Sequence, residues 1–175
     1  MNSEKFITNS EQLKTFLHKC SRCYSITNKG KNIFSINDLF SFNPFTQKTC
    51  TFAIIVNTLN ESFDFQVGHW ITIVIYKKIN TALIIDSLNN YNNTNKEVLK
   101  SIALFCKRMN LKIKYLYLRT QQIKSQNCGY HSLYWTHFAH NNSLSNILEK
   151  KKVLSRYALK NLEKYIVNNV LKRLN

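Results

Sequence analysis

Glycine and proline are rare in this sequence, with three Gly and one Pro in 175 residues. That scarcity excludes a flexible Gly- or Pro-rich linker, and we expect a single domain over residues 1–175. The apolar runs, such as Ile71 to Ile75, are far shorter than the roughly 20 residues that a membrane-spanning helix needs. No apolar segment follows Met1, so we predict an intracellular protein that is not secreted.

Acidic residues are also scarce, with nine Asp and Glu against 25 Lys and Arg and a formal net charge of +16. The positive charge is concentrated between Glu149 and Asn175, where eight basic residues meet two acidic ones. Such a stretch predicts non-specific attraction to a polyanion, and DNA is the obvious candidate. The alternative is a solvated lysine-rich surface that reflects the Asn- and Lys-rich composition of an A+T-rich genome.

The five cysteines are odd in number, which does not fit the paired framework of a disulfide-rich secreted domain. We therefore expect free thiols. The motif Cys20-x-x-Cys23, with His18 close by and Cys50 downstream, raises a zinc site as an alternative. No second close pair of Cys or His completes that site in the sequence, so free cysteines near a helix end are the simpler interpretation.

Three apolar, β-branched runs predict neighbouring strands over Thr51–Thr58, His69–Lys77 and Thr81–Asp86, the last two forming a hairpin. Their nearly continuous apolarity predicts a central sheet that is covered on both faces. Further periodic patterns predict a strand over Lys112–Leu118 and helices over Ser10 to about Cys20, Asn95–Met109, Cys128 to about Asn141, and Val153–Leu174. The sequence therefore predicts an α+β domain with a central mixed sheet flanked by helices.

Three residues have the chemistry of a cysteine nucleophile with its base. Cys128 precedes Gly129 at a predicted helix start, where the helix N-terminus and an imidazolium lower a thiol pKa from about 8.5 toward 3.5–7.5. His69 begins one strand of the predicted hairpin and Asp86 ends the other, so the two side chains should meet. A carboxylate in that position would orient the imidazole and stabilise its charged form.

The same local pattern predicts an oxyanion hole beside Cys128. The backbone N–H of Cys128 supplies one donor at the helix start, and the side chain of Gln121 or Gln122 supplies another. Trp70 and Tyr130 are candidates to line the site. Each of these residues also has a structural interpretation, because a strand histidine, a Cys before Gly and an Asp after a strand are each common in cores and turns.

Three segments resemble the adenovirus-type maturation protease family, adenain, including its virophage and Polinton-like relatives. They are FAIIVNTLNESFDFQVGHWITIVIY (52–76), LIIDSLNNYNN (83–93) and QQIKSQNCGYHSLYW (121–135). The likeness includes an N-terminal Ser-Glu-Gln-Leu-Lys segment, the His-Trp pair, the Ser-x-x-Cys-Gly signature and the seventeen-residue spacing from His69 to Asp86. It extends over most of the chain.

The resemblance implies a papain-like cysteine protease fold in which the order of the catalytic residues is circularly permuted. It makes Cys128 the nucleophile, His69 the base and Asp86 the orienting acid. Gln121 becomes the oxyanion donor by the adenain spacing, whereas the SUMO-protease spacing selects Gln122. The implied function is cleavage of capsid and core precursor proteins during virion maturation, in the virion and at the assembly site in the host cell.

The resemblance also implies partners. The chemistry requires no cofactor, but members of the family use DNA and a viral peptide as activators, and the peptide docks through a disulfide. Cys106 lies on a predicted helix and does not match the cysteine that forms that disulfide. We expect a monomer that does not bind membranes. The alternatives are a SUMO- or ubiquitin-like deconjugating protease of the same fold and a non-catalytic basic DNA-binding virion protein.

Overall fold

The computed structural model describes residues 10–58, 68–89 and 96–174, which form helices packed against a five-stranded sheet. The α-helices in these ranges are α1 (Ser10–Lys19), α2 (Ser21–Ile26), α3 (Lys96–Arg108), α4 (Cys128–Ala139), α5 (Leu144–Leu154) and α6 (Leu159–Leu174). The strands are β1 (Ile33–Ser35), β2 (Thr51–Asn57), β3 (Trp70–Tyr76), β4 (Thr81–Asp86) and β5 (Lys112–Tyr115). Short 3₁₀ helices lie at Asp38–Ser41, Pro44–Thr46 and Lys77–Ile79.

The sheet is mixed and its strands lie in sequence order, β1-β2-β3-β4-β5. The two outer pairs, β1–β2 and β4–β5, are parallel, and the inner pairs are antiparallel. The predicted β3–β4 hairpin is confirmed. Its turn is the 3₁₀ helix over Lys77–Ile79 followed by Asn80, whose φ of 46° is in the left-handed region that Asn tolerates.

The central strands are covered on both faces, as their apolar sequences predict. Every residue of β3 and β4 is buried. Helix α4 contacts β2, β3, α2 and α6, while α3 contacts β5. The largest fully buried side chains include Trp70, Trp135, Phe52 and Phe105. Because α4 packs directly on the central strands, its first residue, Cys128, has a fixed position relative to the sheet.

Two predicted boundaries were wrong. The strand predicted to reach Leu118 ends at Tyr115, because the Leu118 N–H donates to the Leu116 carbonyl at 2.8 Å and turns the chain away from β4. The helix predicted over Val153–Leu174 is two helices, α5 and α6. At the break, the Ser155 hydroxyl donates to the Lys152 carbonyl at 2.8 Å, which competes with helix continuation.

Parts of the sequence that carry the family resemblance, residues 59–67 and 90–93, lie outside the described residues, as does the predicted helix start at Asn95. Within the described ranges, no helix has both the length and the apolar character needed to cross a bilayer. None of the five cysteines, all of which lie in the described ranges, forms a disulfide.

Candidate active site

The hairpin brings His69 and Asp86 together at one end of the sheet. The β3–β4 register pairs Ile71 with Asp86, so His69, two residues earlier, lies diagonally across from the carboxylate. The His69 Nε2 to Asp86 Oδ1 distance is 2.6 Å. Two backbone hydrogen bonds with Thr58 fix His69: its N–H donates to Thr58 Oγ1 at 3.2 Å, and its carbonyl accepts from the Thr58 N–H at 2.9 Å.

Asp86 is a buried carboxylate with a defined orientation. Its side chain is 1% exposed, and the Leu88 N–H donates to its Oδ1 at 2.9 Å. This second donor fixes the carboxylate that in turn fixes the His69 ring. The His69 ring is therefore oriented by Asp86, and Asp86 is oriented by the Leu88 N–H. A general base needs a fixed orientation of this kind for proton transfer.

Cys128 is the first residue of α4 and is 7% exposed. Its thiol lies 3.9 Å from the Gly68 carbonyl, next to the base. Gly68 itself lies against β2, where a Cβ at that position would be 1.9 Å from Asn57 Oδ1. The glycine therefore lets the segment that carries His69 pass against the sheet.

The charged form of His69 is stabilised at this site. Burial lowers the pKa of the imidazole, but hydrogen bonds with Asp86 and Cys128, together with their charges, outweigh it and raise the pKa to about 9. Since Nε2 binds the carboxylate, Nδ1 is the ring nitrogen left to exchange a proton with the thiol. The arrangement can hold a thiolate beside an imidazolium, at a helix N-terminus that favours negative charge.

The two candidate glutamines have different environments. Gln121 is 2% exposed; its Oε1 accepts from Ser87 Oγ at 2.6 Å, and its Nε2 donates to the Ser125 carbonyl at 2.7 Å. Gln122 is exposed, and its Nε2 donates to Glu163 at 2.6 Å. An amide nitrogen carries two hydrogens, so Gln121 keeps one for a further acceptor.

A buried acid on α6, Glu163, organises the loop that precedes the nucleophile. It is 4% exposed and accepts hydrogen bonds from Gln122, from Ser125 Oγ and from Asn127 Nδ2, the last at 3.2 Å. Burial raises its pKa, but His131 and these donors outweigh burial and lower the pKa to about 2. Glu163 therefore stays ionised and holds the loop against α6.

Sequence reasoning missed Glu163. The available signal was an acid at helical spacing with the apolar residues Ile166, Val167 and Val170, a position that usually faces the core. The missed network continues to His131, which is fully buried; its Nδ1 lies 2.8 Å from Thr120 Oγ1, and its Nε2 lies 3.9 Å from Glu163. Burial lowers the pKa of His131.

The two aromatic residues predicted to line the site lie in the hydrophobic core. Trp70 and Tyr130 are buried in the core, 1% and 2% exposed, and the Tyr130 ring packs edge-on against Phe16. Asn127 precedes α4 without a side-chain cap hydrogen bond, and its Nδ2 donates to Glu163.

Of the residues considered as an alternative zinc site in the sequence, His18 and Cys50 do not join Cys20 and Cys23 in the structure. The His18 ring packs against Tyr24, with centroids 4.6 Å apart, and Cys50 is exposed. The histidine beside Cys20 and Cys23 is His137, from α4.

Solved structures with the same fold come from Chlamydia trachomatis. Effector protein Cdu1 bound to ubiquitin matches with a TM-score of 0.54 and 11% identity, over 98% of this chain and 81% of that one. ChlaDub1 matches with a TM-score of 0.50 and 13% identity, over 97% of this chain and 79% of that one. SUMO protease Ulp1 also matches, at a TM-score of 0.45 and 13% identity over 97% and 81% of the two chains. No protein-family model matches the sequence, and no curated protein matches it significantly.

The two Chlamydia trachomatis likenesses confirm the predicted fold, an α+β papain-like protease arrangement with a central mixed sheet flanked by helices. The sheet has five strands. At this level of identity they establish the fold alone, and the adenovirus-type family stays a prediction. The catalytic roles therefore depend on the geometry of His69, Asp86 and Cys128 in this chain.

The two glutamines can be separated by substitution. We expect Gln121→Ala to lower kcat by about 10²- to 10³-fold with little change in KM, since an oxyanion donor acts mainly in the transition state. Gln122→Ala, the matched control, should cost less than about 10-fold, because its amide binds Glu163. Steady-state kinetics on a fluorogenic peptide measure both. A larger loss in Gln122→Ala would transfer the role to Gln122.

Proposed function

We propose that this chain is a cysteine endopeptidase that cleaves capsid and core precursor proteins during virion maturation. One observation carries the catalytic part: the His69 ring is bound by a buried carboxylate at 2.6 Å, and the Cys128 thiol at the start of α4 lies 3.9 Å from the carbonyl of the adjacent Gly68. The resemblance of segments 52–76, 83–93 and 121–135 to the adenovirus-type proteases supports the viral role. The virion and its assembly site are accordingly the proposed location.

In the proposed acylation step, the proton of the Cys128–His69 pair resides on His69, and the Cys128 sulfur attacks the scissile carbonyl carbon. The carbonyl π electrons move to oxygen, and the oxyanion is stabilised by the Cys128 backbone N–H and the Gln121 amide. The imidazolium then gives its proton to the leaving amine as the C–N bond breaks. An acyl-enzyme thioester and a free amine result.

In the proposed deacylation step, His69 removes a proton from water, and the hydroxide attacks the thioester carbon. The C–S bond breaks, the acid product leaves, and the proton stays on His69 beside the Cys128 thiolate. Asp86 keeps one ring nitrogen bound throughout, so the other nitrogen faces the reacting atoms in both steps.

A ubiquitin-like deconjugating protease is the second candidate. The likeness to Cdu1, whose structure is bound to ubiquitin, favours it at the level of the fold. Both candidates use the same catalytic residues and differ in substrate. A precursor protease recognises a short extended segment, whereas a deconjugase recognises a folded modifier and its C-terminal tail.

DNA is a proposed partner, supported by the formal charge of +16 and by exposed basic residues on α5 and α6 and in the segment between them. These include Lys152, Arg156, Lys160, Lys164 and Lys172. An activating peptide that does not dock through a disulfide is a further proposal. Cys106, which does not match the cysteine of the family's disulfide, is buried in α3.

The test compares two substrate sets with wild-type and Cys128→Ala protein. We expect wild-type protein to cleave co-encoded capsid precursors at discrete bonds and to leave SUMO and ubiquitin conjugates intact. Duplex DNA should accelerate cleavage at about 50 mM salt and lose this effect near 200 mM, since phosphate contacts weaken steeply with salt. Cleavage confined to diglycine conjugates would establish the second candidate, and equal cleavage by Cys128→Ala would overturn both.

A further inference from the structure

A second cluster of chemically active side chains lies at the opposite end of α4 from Cys128. Cys20 and Cys23 flank the start of α2, and His137 lies in the last turn of α4. One ligand atom from each of the three residues lies within 4.8 Å of the other two. Both cysteines are buried, and His137 is partly buried. The proposed peptidase does not use this cluster.

The spacing of the cluster suits a tetrahedral metal ion. Zn²⁺ binds thiolate sulfur at about 2.3 Å and imidazole nitrogen at about 2.0–2.1 Å, which places sulfur and nitrogen ligands about 3.6 Å apart. The Cys20 Sγ to His137 Nδ1 distance is 3.5 Å. Cys20 and His137 therefore already have the separation of two ligands of one ion, and the Cys23 sulfur lies within 4.8 Å of both ligand atoms.

The backbone also supports a thiolate at one of the two cysteines, Cys20. The Cys23 N–H donates to Cys20 Sγ at 3.4 Å, a hydrogen bond that an anionic sulfur accepts better than a neutral one. Cys23 Sγ lies 3.5 Å from the Leu133 carbonyl and donates its proton there. This acceptor favours the protonated thiol of Cys23 when no metal is bound, and a metal ion would replace that proton, so binding leaves no buried donor unpaired.

A cavity of about 10 Å³ adjoins the three side chains, which is about the space of one water molecule. Its other lining residues are Leu133, Val170, Arg173 and Leu174. Zn²⁺ with two thiolates and a neutral imidazole carries no net charge. Its burial beside apolar side chains therefore leaves no uncompensated charge, and Arg173 does not strongly repel it. The soft sulfur and imidazole donors select Zn²⁺ over Mg²⁺ or Ca²⁺.

We propose that Cys20, Cys23 and His137 bind one Zn²⁺ ion, with water as the fourth ligand. Binding converts two thiols to thiolates and releases two protons, with no change in oxidation state. The ion links α2 to α4, the helix whose first residue is Cys128. His137 lies about 13 Å along the helix axis from Cys128, so the ion is too far from the nucleophile to take part in the proposed bond cleavage.

The test uses full-length protein in a Cys128→Ala background, which removes the active-site thiol as a competing ligand. We expect equilibrium dialysis against micromolar Zn²⁺ to give one ion per chain, and Co²⁺ to give thiolate charge-transfer and tetrahedral d–d bands. Cys20→Ser and Cys23→Ser should abolish both signals. His137→Ala should weaken Zn²⁺ binding by at least about 10-fold.

Two cysteines outside the cluster serve as matched controls. Cys50→Ser and Cys106→Ser should keep one Zn²⁺ per chain, and circular dichroism confirms that each variant is folded. Chelation should lower the Tm of the Cys128→Ala parent and leave that of its Cys20→Ser derivative unchanged. Absence of bound Zn²⁺ in the folded parent would overturn the proposal, as would binding that survives Cys20→Ser. A mass 2 Da below that of the dithiol, restored by reductant and unaffected by Zn²⁺, would identify a Cys20–Cys23 disulfide instead.

Discussion

Cys128→Ala is expected to lower kcat by at least about 10⁴-fold while the protein keeps its fold, because it removes the nucleophile and leaves only transition-state binding. The side chain is small and sits at the start of α4, so its loss opens little space in the core. A fluorogenic peptide assay measures kcat, and the thermal transition measures folding.

Covalent labelling identifies the reactive thiol independently of turnover. Cys50 is exposed and would react non-specifically, so labelling is done in Cys50→Ser, which should keep full activity. Burial raises the pKa of Cys106 to about 12, so that thiol should stay unreactive. One molecule of a peptide vinyl sulfone should add to each chain. Peptide mapping should locate it on the peptide that contains Cys128. Labelling that persists in Cys128→Ala, or that does not decline in His69→Ala, would contradict the assignment.

The contact between His69 and Asp86 could be predicted from sequence because it depends on local structure. Two β-branched runs joined by a short turn specify an antiparallel hairpin, and the hairpin places the start of one strand beside the end of the next. The helix start at Cys128 is local in the same sense, since an Asn-Cys-Gly segment precedes a helical pattern. Contacts that depend on such short-range geometry can be predicted from a single sequence.

Glu163 and His137 could not be found in the same way, because their partners are set by how helices pack. Cys20 and His137 are 117 positions apart in sequence, and Glu163 lies 38 positions from Ser125. Their contacts require α2 and α6 to lie against α4, which no local pattern specifies. The predicted single helix over Val153–Leu174 also obscured the start of α6, from which the inward orientation of Glu163 follows.

Asp86→Ala should lower kcat/KM at pH 8 by up to about 10⁴-fold, because the carboxylate both orients the imidazole and stabilises its charge. In the wild-type protein the pKa of His69 is raised to about 9, so activity that needs the imidazolium should persist until the pH passes that value. Without Asp86, burial dominates and the pKa falls. The alkaline limb of the kcat/KM profile should therefore shift to lower pH by one unit or more.

Asp86→Asn is the matched control, since it keeps an oxygen that can accept from His69 Nε2 but removes the charge. It should lose less activity than Asp86→Ala and still show the shifted alkaline limb, because a neutral amide cannot stabilise the imidazolium. An unshifted limb in both variants would show that Asp86 acts only on geometry.

The same pKa shift predicts a change in stability that needs no substrate. The pKa of His69 rises from 6.5 to about 9 on folding, so its protonated form contributes stability that is fully present below pH 6.5 and lost as the pH rises through 9. The side chain is one-fifth exposed, and the contribution is on the order of 3 kcal/mol. Urea unfolding of wild-type protein between pH 6.5 and 9.5 should show this decline, and Asp86→Ala should not. Parallel curves for the two proteins would mean that the carboxylate does not hold the proton on His69.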